Sequence, residues 1–352
     1  MDFEELNARI PGRNATAEEK ARQRLNDIAK PVGSLGELEA LLVRIAGIGG
    51  EVDIEKRVAF VLAADNGVTA QNVASTPPEI TVTMASFMAR RRSSVCLMAA
   101  QAHTDITLVD MGMFRRLETP GILDRHIADG TADISVGPAM TVEQGTRAIQ
   151  AGIDLVRDAT EQGYRLIATG EMGIGNTTTS SAVAAALLHR PVSEVTGRGV
   201  GLTDEGLAHK IAVIEQALRV NAPAGTGTLD ALDVLDALDV LCKLGGFDIA
   251  GMCGLFLGGA LYGVPVIIDG FISATAALAA VRLCPKASYA LLPSHVSAEP
   301  GASLILDELG LTAIIHANMR LGEGTGAVAL IPLLDQIVAV YRDLMTFADI
   351  GM

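Results

Sequence analysis

The distribution of apolar runs along the chain predicts an α/β protein. Short runs rich in Val, Ile, Leu and Ala occur at Val58–Leu62, Ile106–Val109, Leu166–Ala168, Val264–Ile268, Ala290–Leu292 and Ala313–Ile315. Most are separated by enough residues for a crossover helix, as parallel pairing requires. Polar or glycine residues follow most of them: Asp65, Asp110, Gly170 with Glu171, Asp269 with Gly270, and Ser294 with His295. Ligands of open parallel sheets bind beyond the carboxyl ends of the strands, so these positions are expected to converge on one cleft. Ile249 to Ile268 holds no charge and is long enough to cross a bilayer. Its glycines and Pro265 interrupt it, and it reads as a buried, close-packed helix to about Tyr262 followed by a strand. Leu229–Leu241 (LDALDVLDALDVL) reads as an amphipathic helix with an acidic face.

Three glycine-rich segments carry the candidate chemistry. In Met319–Ala327 (MRLGEGTGA), Glu323 stands between Gly322 and Gly324, where flexible backbone permits close ligand approach. Glu323 is a candidate general base, the alternative being a turn whose Glu faces water. Gly170–Ser181 (GEMGIGNTTTSS) follows an apolar run and precedes the Ala-rich, helix-favouring stretch Ala182–Leu188. Such a turn can hold an anion through free N–H groups and the hydroxyls of Thr177 and Thr178, or be an ordinary N-cap cluster. It lacks the P-loop lysine and the GxGxxG spacing, which removes the best signs of a nucleoside triphosphate or a dinucleotide. In TGRGVGLTDEGLAHK, Gly197, Gly199 and Gly201 precede a capping-box-like Thr203–Gly206 and then Lys210. Arg198 and Lys210 can each pair with a phosphate, or each be a solvated surface charge.

Composition narrows the partners. A net charge of −14 argues against nucleic acid and anionic membrane, and an acidic protein that binds an anion must build positive potential locally. At 3% aromatic residues with no Trp, the chain lacks stacking platforms for single strands. No secretory signal is visible at the amino end. Four cysteines without a CxxC pair and six histidines without HExxH fit reduced cytoplasmic thiols and no protein-built metal site.

Read together and in order, KPVGSLGELE (Lys30–Glu39), ADNGV (Ala64–Val68), GEMGIGNTT, GGFDIAGM (Gly245–Met252), PSHVSAEPGA (Pro293–Ala302) and MRLGEGTGA resemble the nicotinate-nucleotide:dimethylbenzimidazole phosphoribosyltransferases of cobamide assembly. The resemblance runs from about residue 20 to the C-terminus. It implies a Rossmann-like, six-stranded parallel sheet flanked by helices (residues 49–327), with a small helical domain built from both chain ends (1–48 and 328–352). It further implies transfer of a phosphoribosyl group from nicotinate mononucleotide to an aromatic base, with inversion to an α-riboside and no cofactor. Nicotinate leaves as a neutral ring, so the burden falls on the acceptor, whose attacking atom must shed a proton; Glu323 would take it.

By the same resemblance, Glu171, Gly173, Asn176, Thr177 and Thr178 match the nucleotide-binding turn, and Gly197, Gly199 and Lys210 match a second phosphate-facing segment. Ser297 matches a position by the ribose and phosphate. Thr76, Met84 and Leu321 match the acceptor pocket. His295 reads as locked into the fold rather than as a base, and Asp65 as either a ligand contact or a turn cap. Two departures stand out: Asn66 where the family pattern has His, and Met84 where some members carry Gln. Exchanging an amide for a thioether makes the pocket more apolar and adaptable. The acceptor is therefore open between dimethylbenzimidazole, other bases, and phenol or p-cresol. A homodimer, or a heterodimer with a paralogous subunit, is expected. The alternative is a non-catalytic partner subunit, against which the intact Glu323 argues.

Overall fold

The structure, a computed structural model, describes residues 1–117, 119–199, 201–222 and 236–352. Its six strands are β1 (Arg57–Ala64), β2 (Asp105–Gly112), β3 (Ile122–Asp124), β4 (Leu166–Met172), β5 (Val266–Ile268) and β6 (Leu291–Pro293). They pair in parallel in the order β3-β2-β1-β4-β5-β6. The central strands β1 and β4 are buried along their whole length, which is why Val58–Ala64 and Leu166–Ala168 read as apolar runs rather than alternating ones. Strand order reverses between β1 and β4, so the crossovers diverge there and leave a crevice beyond the carboxyl ends.

Two assignments differ from the apolar pattern. Ala313–Ile315 forms no strand: Ile315 makes a single isolated parallel bridge with His295, and Ile314 and Ile315 stay half-buried at the sheet edge. The sixth strand is instead β3 at the opposite edge, paired to β2 through Leu108, Val109 and Asp110. Its three residues are exposed or half-buried, so no apolar run marks it. Of the expected acidic helix, residues 229–235 lie outside the described residues; Ala237–Leu244 is helical.

The uncharged stretch from Ile249 is the core helix Phe247–Tyr262, almost wholly buried. Its glycines serve close packing against the helix Val142–Glu161: a Cβ at Gly152 or Gly254 would collide with backbone atoms of the facing helix. Among the described residues, Thr325–Asp343 alone is long and apolar enough to cross a membrane; half of it is buried, and its Asp335 pairs with the buried Arg57. Its C-terminal end meets the amino end of the chain. Arg24 donates to the carbonyls of Tyr341 (3.1 Å) and Leu344 (2.8 Å), satisfying helix-end acceptors. The Phe347 N–H donates to Asp27 O at 2.9 Å.

Candidate active site

Beyond the carboxyl ends of β4, β5 and β6 lies a cleft of about 260 Å³. Thr76 and Met84 line one side, Glu171, Gly173, Asn176 and Thr177 the floor, and Ser297, Leu321 and Glu323 the far side. Segments more than two hundred residues apart in sequence thus meet at one place.

The MRLGEGTGA turn aims its carboxyl group by an unusual backbone. Gly322, Glu323 and Gly324 have φ of 80°, 63° and 95°, three successive left-handed residues. Glycine adopts this freely, whereas a residue with a side chain is strained there by about 1–3 kcal/mol. The surrounding structure holds it: the Glu323 N–H donates to Glu171 Oε1 (3.3 Å), and Asp269 accepts from Gly324 (3.1 Å), Gly326 (2.7 Å) and Ala327 (3.0 Å). Glu323 itself is 5% exposed, and its Oε2 has no hydrogen-bond partner. Burial raises its pKa, opposed by the Val95 N–H and reinforced by Asp269. A carboxyl group so placed can accept a proton from a ligand in the cleft.

The floor is a buried acidic cluster. Glu171 and Asp248 share the Asn176 amide, whose Nδ2 donates to both, at 2.9 Å to Asp248. Burial, with Asp248 nearby, pushes Glu171 up to about 8; burial lifts Asp248 to about 6. Near neutral pH the cluster therefore retains a proton on Glu171. Asn176 to Thr179 do not form a turn before the helix, as the pattern suggested: the helix begins at Asn176, with Gly175 (φ 93°) as its N-cap. Helical periodicity then separates the threonines. Thr177 faces the cleft, while Thr178 is fully buried with its hydroxyl unpartnered and lies outside the lining.

Lys210 is fully buried rather than a surface charge. Its Nζ donates to Thr177 Oγ1 (2.9 Å) and Gly197 O (3.2 Å), placing a cation directly behind the cleft wall. Burial lowers its pKa to about 8, partly offset by Glu299. Gly199 lines the cleft; Gly197 does not, its carbonyl being turned to Lys210. Glu299, which sequence reasoning missed, accepts the Gly199 N–H at 3.0 Å and keeps Oε2 unpartnered. Its neighbour Ser297 is held loosely, at 3.4 Å from Met319 O. The cation expected at Arg198 is not in the cleft: its guanidinium donates to Leu202 O (3.0 Å) and pairs with Asp204 at the helix start.

Thr76 places an unpartnered buried hydroxyl at the cleft beside half-buried Met84, and Leu321 is 52% exposed at its mouth. Asp65 turns away: it accepts the Phe114 N–H at 2.7 Å and serves the backbone. His295 lies in the lining with Nδ1 3.0 Å from Ser294 Oγ, and burial lowers its pKa.

Residues 10–352 match the family model of a phosphoribosyltransferase designated DBI_PRT. A nicotinate-nucleotide–dimethylbenzimidazole phosphoribosyltransferase from Ruminiclostridium cellulolyticum is 42% identical over 351 residues, covering 99% of this chain and 97% of its own. The chain belongs to this family. The enzyme of the same name from Acetivibrio thermocellus is 42% identical over 330 residues, 93% of this chain and 92% of its own. Among solved structures, CobT from Thermus thermophilus superposes with a TM-score of 0.89 at 35% identity, covering 96% of this chain and 99% of that one. The chain is thus a pentosyltransferase with the family's Rossmann-like fold.

Proposed function

We propose that this enzyme transfers the phosphoribosyl group of nicotinate mononucleotide to an aromatic lower-ligand base, giving an α-riboside phosphate and nicotinate. The observation that carries the reading is Glu323: buried, on a left-handed turn clamped through its backbone, lining the cleft, and with Oε2 unpartnered. Strain held at a ligand-facing carboxyl is a signature of a working residue.

The phosphate sits toward Lys210, Thr177 and Gly199, where the ammonium supplies the positive charge that an acidic protein otherwise lacks. The acceptor ring lies against Met84 and Leu321, with the Thr76 hydroxyl as a polar contact. As the ring nitrogen bonds to C1′, the C1′–N bond to nicotinate breaks and its electron pair neutralises the pyridinium. The imidazole proton passes to Glu323, a step worth about 10²- to 10⁴-fold. The carboxylate also stabilises the oxocarbenium-like sugar in passing.

Met84 in place of an amide supports a tolerant acceptor pocket that takes phenolic compounds beside benzimidazoles, since apolar walls discriminate weakly. The intact Glu323 turn favours a catalytic chain over a silent partner of a heterodimer. Incubating the purified chain with nicotinate mononucleotide and a panel of benzimidazoles, purines and phenols, then weighing the products, tests both points. Absence of any riboside phosphate would overturn the activity; benzimidazole products alone would overturn the broad pocket.

A further inference from the structure

The left-handed turn that carries Glu323 is held from a strand end far away in sequence. Asp269, immediately after β5, is 3% exposed, and both its carboxyl oxygens are occupied by that turn. Oδ2 accepts the N–H of Gly324, the residue after Glu323, at 3.1 Å; Oδ1 accepts those of Gly326 (2.7 Å) and Ala327 (3.0 Å) at the start of the helix Thr325–Asp343. Three donors converging on one side chain require two acceptor oxygens, which among buried side chains a carboxylate supplies and an amide does not. Two close contacts brace the turn further. A Cβ on Gly326 would run into the His295 ring, and one on Gly170 into the Glu323 carbonyl, so the turn is wedged between β4 and the loop after β6.

From this geometry we infer that Asp269 is a positioning residue of the transferase reaction: although it lines the cleft, both its oxygens are taken by the turn, and it acts by fixing Glu323 in the left-handed conformation that presents its carboxyl group to the acceptor. The inference rests on Glu323 being the base. Asp269→Asn retains one oxygen and sets an NH₂ group against an N–H. Facing Gly324, that clash frees the turn next to the base; facing Gly326 and Ala327, it frees the helix start behind it. Displacement of a catalytic group by about 1 Å costs on the order of 10²-fold in rate.

The test is a double-mutant cycle on the full chain, with nicotinate mononucleotide and dimethylbenzimidazole, of Asp269→Asn and Glu323→Gln. Asp269→Asn is expected to lower kcat at least ~10-fold with the nucleotide KM within ~3-fold, and to cost less than ~3-fold more when added to Glu323→Gln. Additive losses, or a raised KM with kcat unchanged, would overturn the role of Asp269 while leaving the base intact. A fully active Glu323→Gln would instead remove the reading on which it rests. Asp269→Glu, which keeps the charge and shifts the oxygens by one methylene, runs the same cycle if Asp269→Asn does not fold. It too should lose kcat rather than nucleotide affinity.

Discussion

Replacing Lys210 by Met separates a phosphate-binding lysine from a merely buried one. The side chain is fully buried, and two of its three N–H groups are taken by Thr177 Oγ1 and Gly197 O. Lowering a lysine from 10.5 to about 8 corresponds to an ionisation cost of about 3 kcal/mol that the variant no longer bears. Against this, Met orphans two acceptors, at about 1–3 kcal/mol each. The two nearly cancel, so the ligand-free melting temperature should move by only a few degrees. The bound state has no such compensation. A charge-assisted bond to phosphate is worth about 1.5–3 kcal/mol, so the nucleotide KM should rise about 10- to 150-fold, with affinity for the free acceptor unchanged.

The pH dependence has a definite sign. Lys210 is mostly ammonium below about 8 and loses its charge above it. In wild type, kcat/KM for the nucleotide should therefore fall roughly tenfold between about pH 7 and 9, and this limb should vanish in Lys210→Met. Steady-state kinetics across pH, with melting curves at rising nucleotide concentration, measure both effects. An unchanged nucleotide KM, or a basic limb that survives the substitution, would refute the reasoning.

Three further outcomes are expected. Glu323→Gln should bind nicotinate mononucleotide almost normally and keep less than about a tenth of wild-type kcat, since an amide keeps the shape but takes no proton; kcat beside nucleotide affinity measures it. Glu171→Gln should raise thermal stability increasingly as pH rises. Glu171 titrates near 8 when folded and near 4.5 when unfolded, so the native state holds the extra proton, and wild-type stability falls across that window while the variant's does not. Melting temperatures at pH 5 and 9 report it. Met84→Gln should shift kcat/KM toward dimethylbenzimidazole relative to a phenol, because an amide suits a ring with a second nitrogen; an unchanged ratio counts against the pocket reading.

Much of the site was legible because its determinants are local. A carboxylate framed by glycines marks flexible backbone that lets a ligand approach, and Glu323 lines the cleft. Apolar runs without alternation announce strands buried on both faces, as in β1 and β4. The edges were less legible. β3 is too short to register, and Ala313–Ile315 is apolar yet finds only one bridge, because pairing depends on a neighbour rather than on the run itself.

The side chains of the site divide on the same line. The amino-acid sequence alone determined the parallel α/β class, the glycine-framed carboxylate at Glu323 and the glycine-lined turn after β4, all properties of neighbouring residues. Tertiary structure decided which charges do what. Lys210 became a buried cation behind Thr177, while Arg198, twelve residues earlier, was spent on Asp204. Thr177 faces the cleft and Thr178 the core, because helix phase at Asn176 separates adjacent side chains. Asp269 reached across 55 residues to hold Gly324. Desolvation and hydrogen bonding act between groups that meet only after the chain closes, so their partners cannot be read along it.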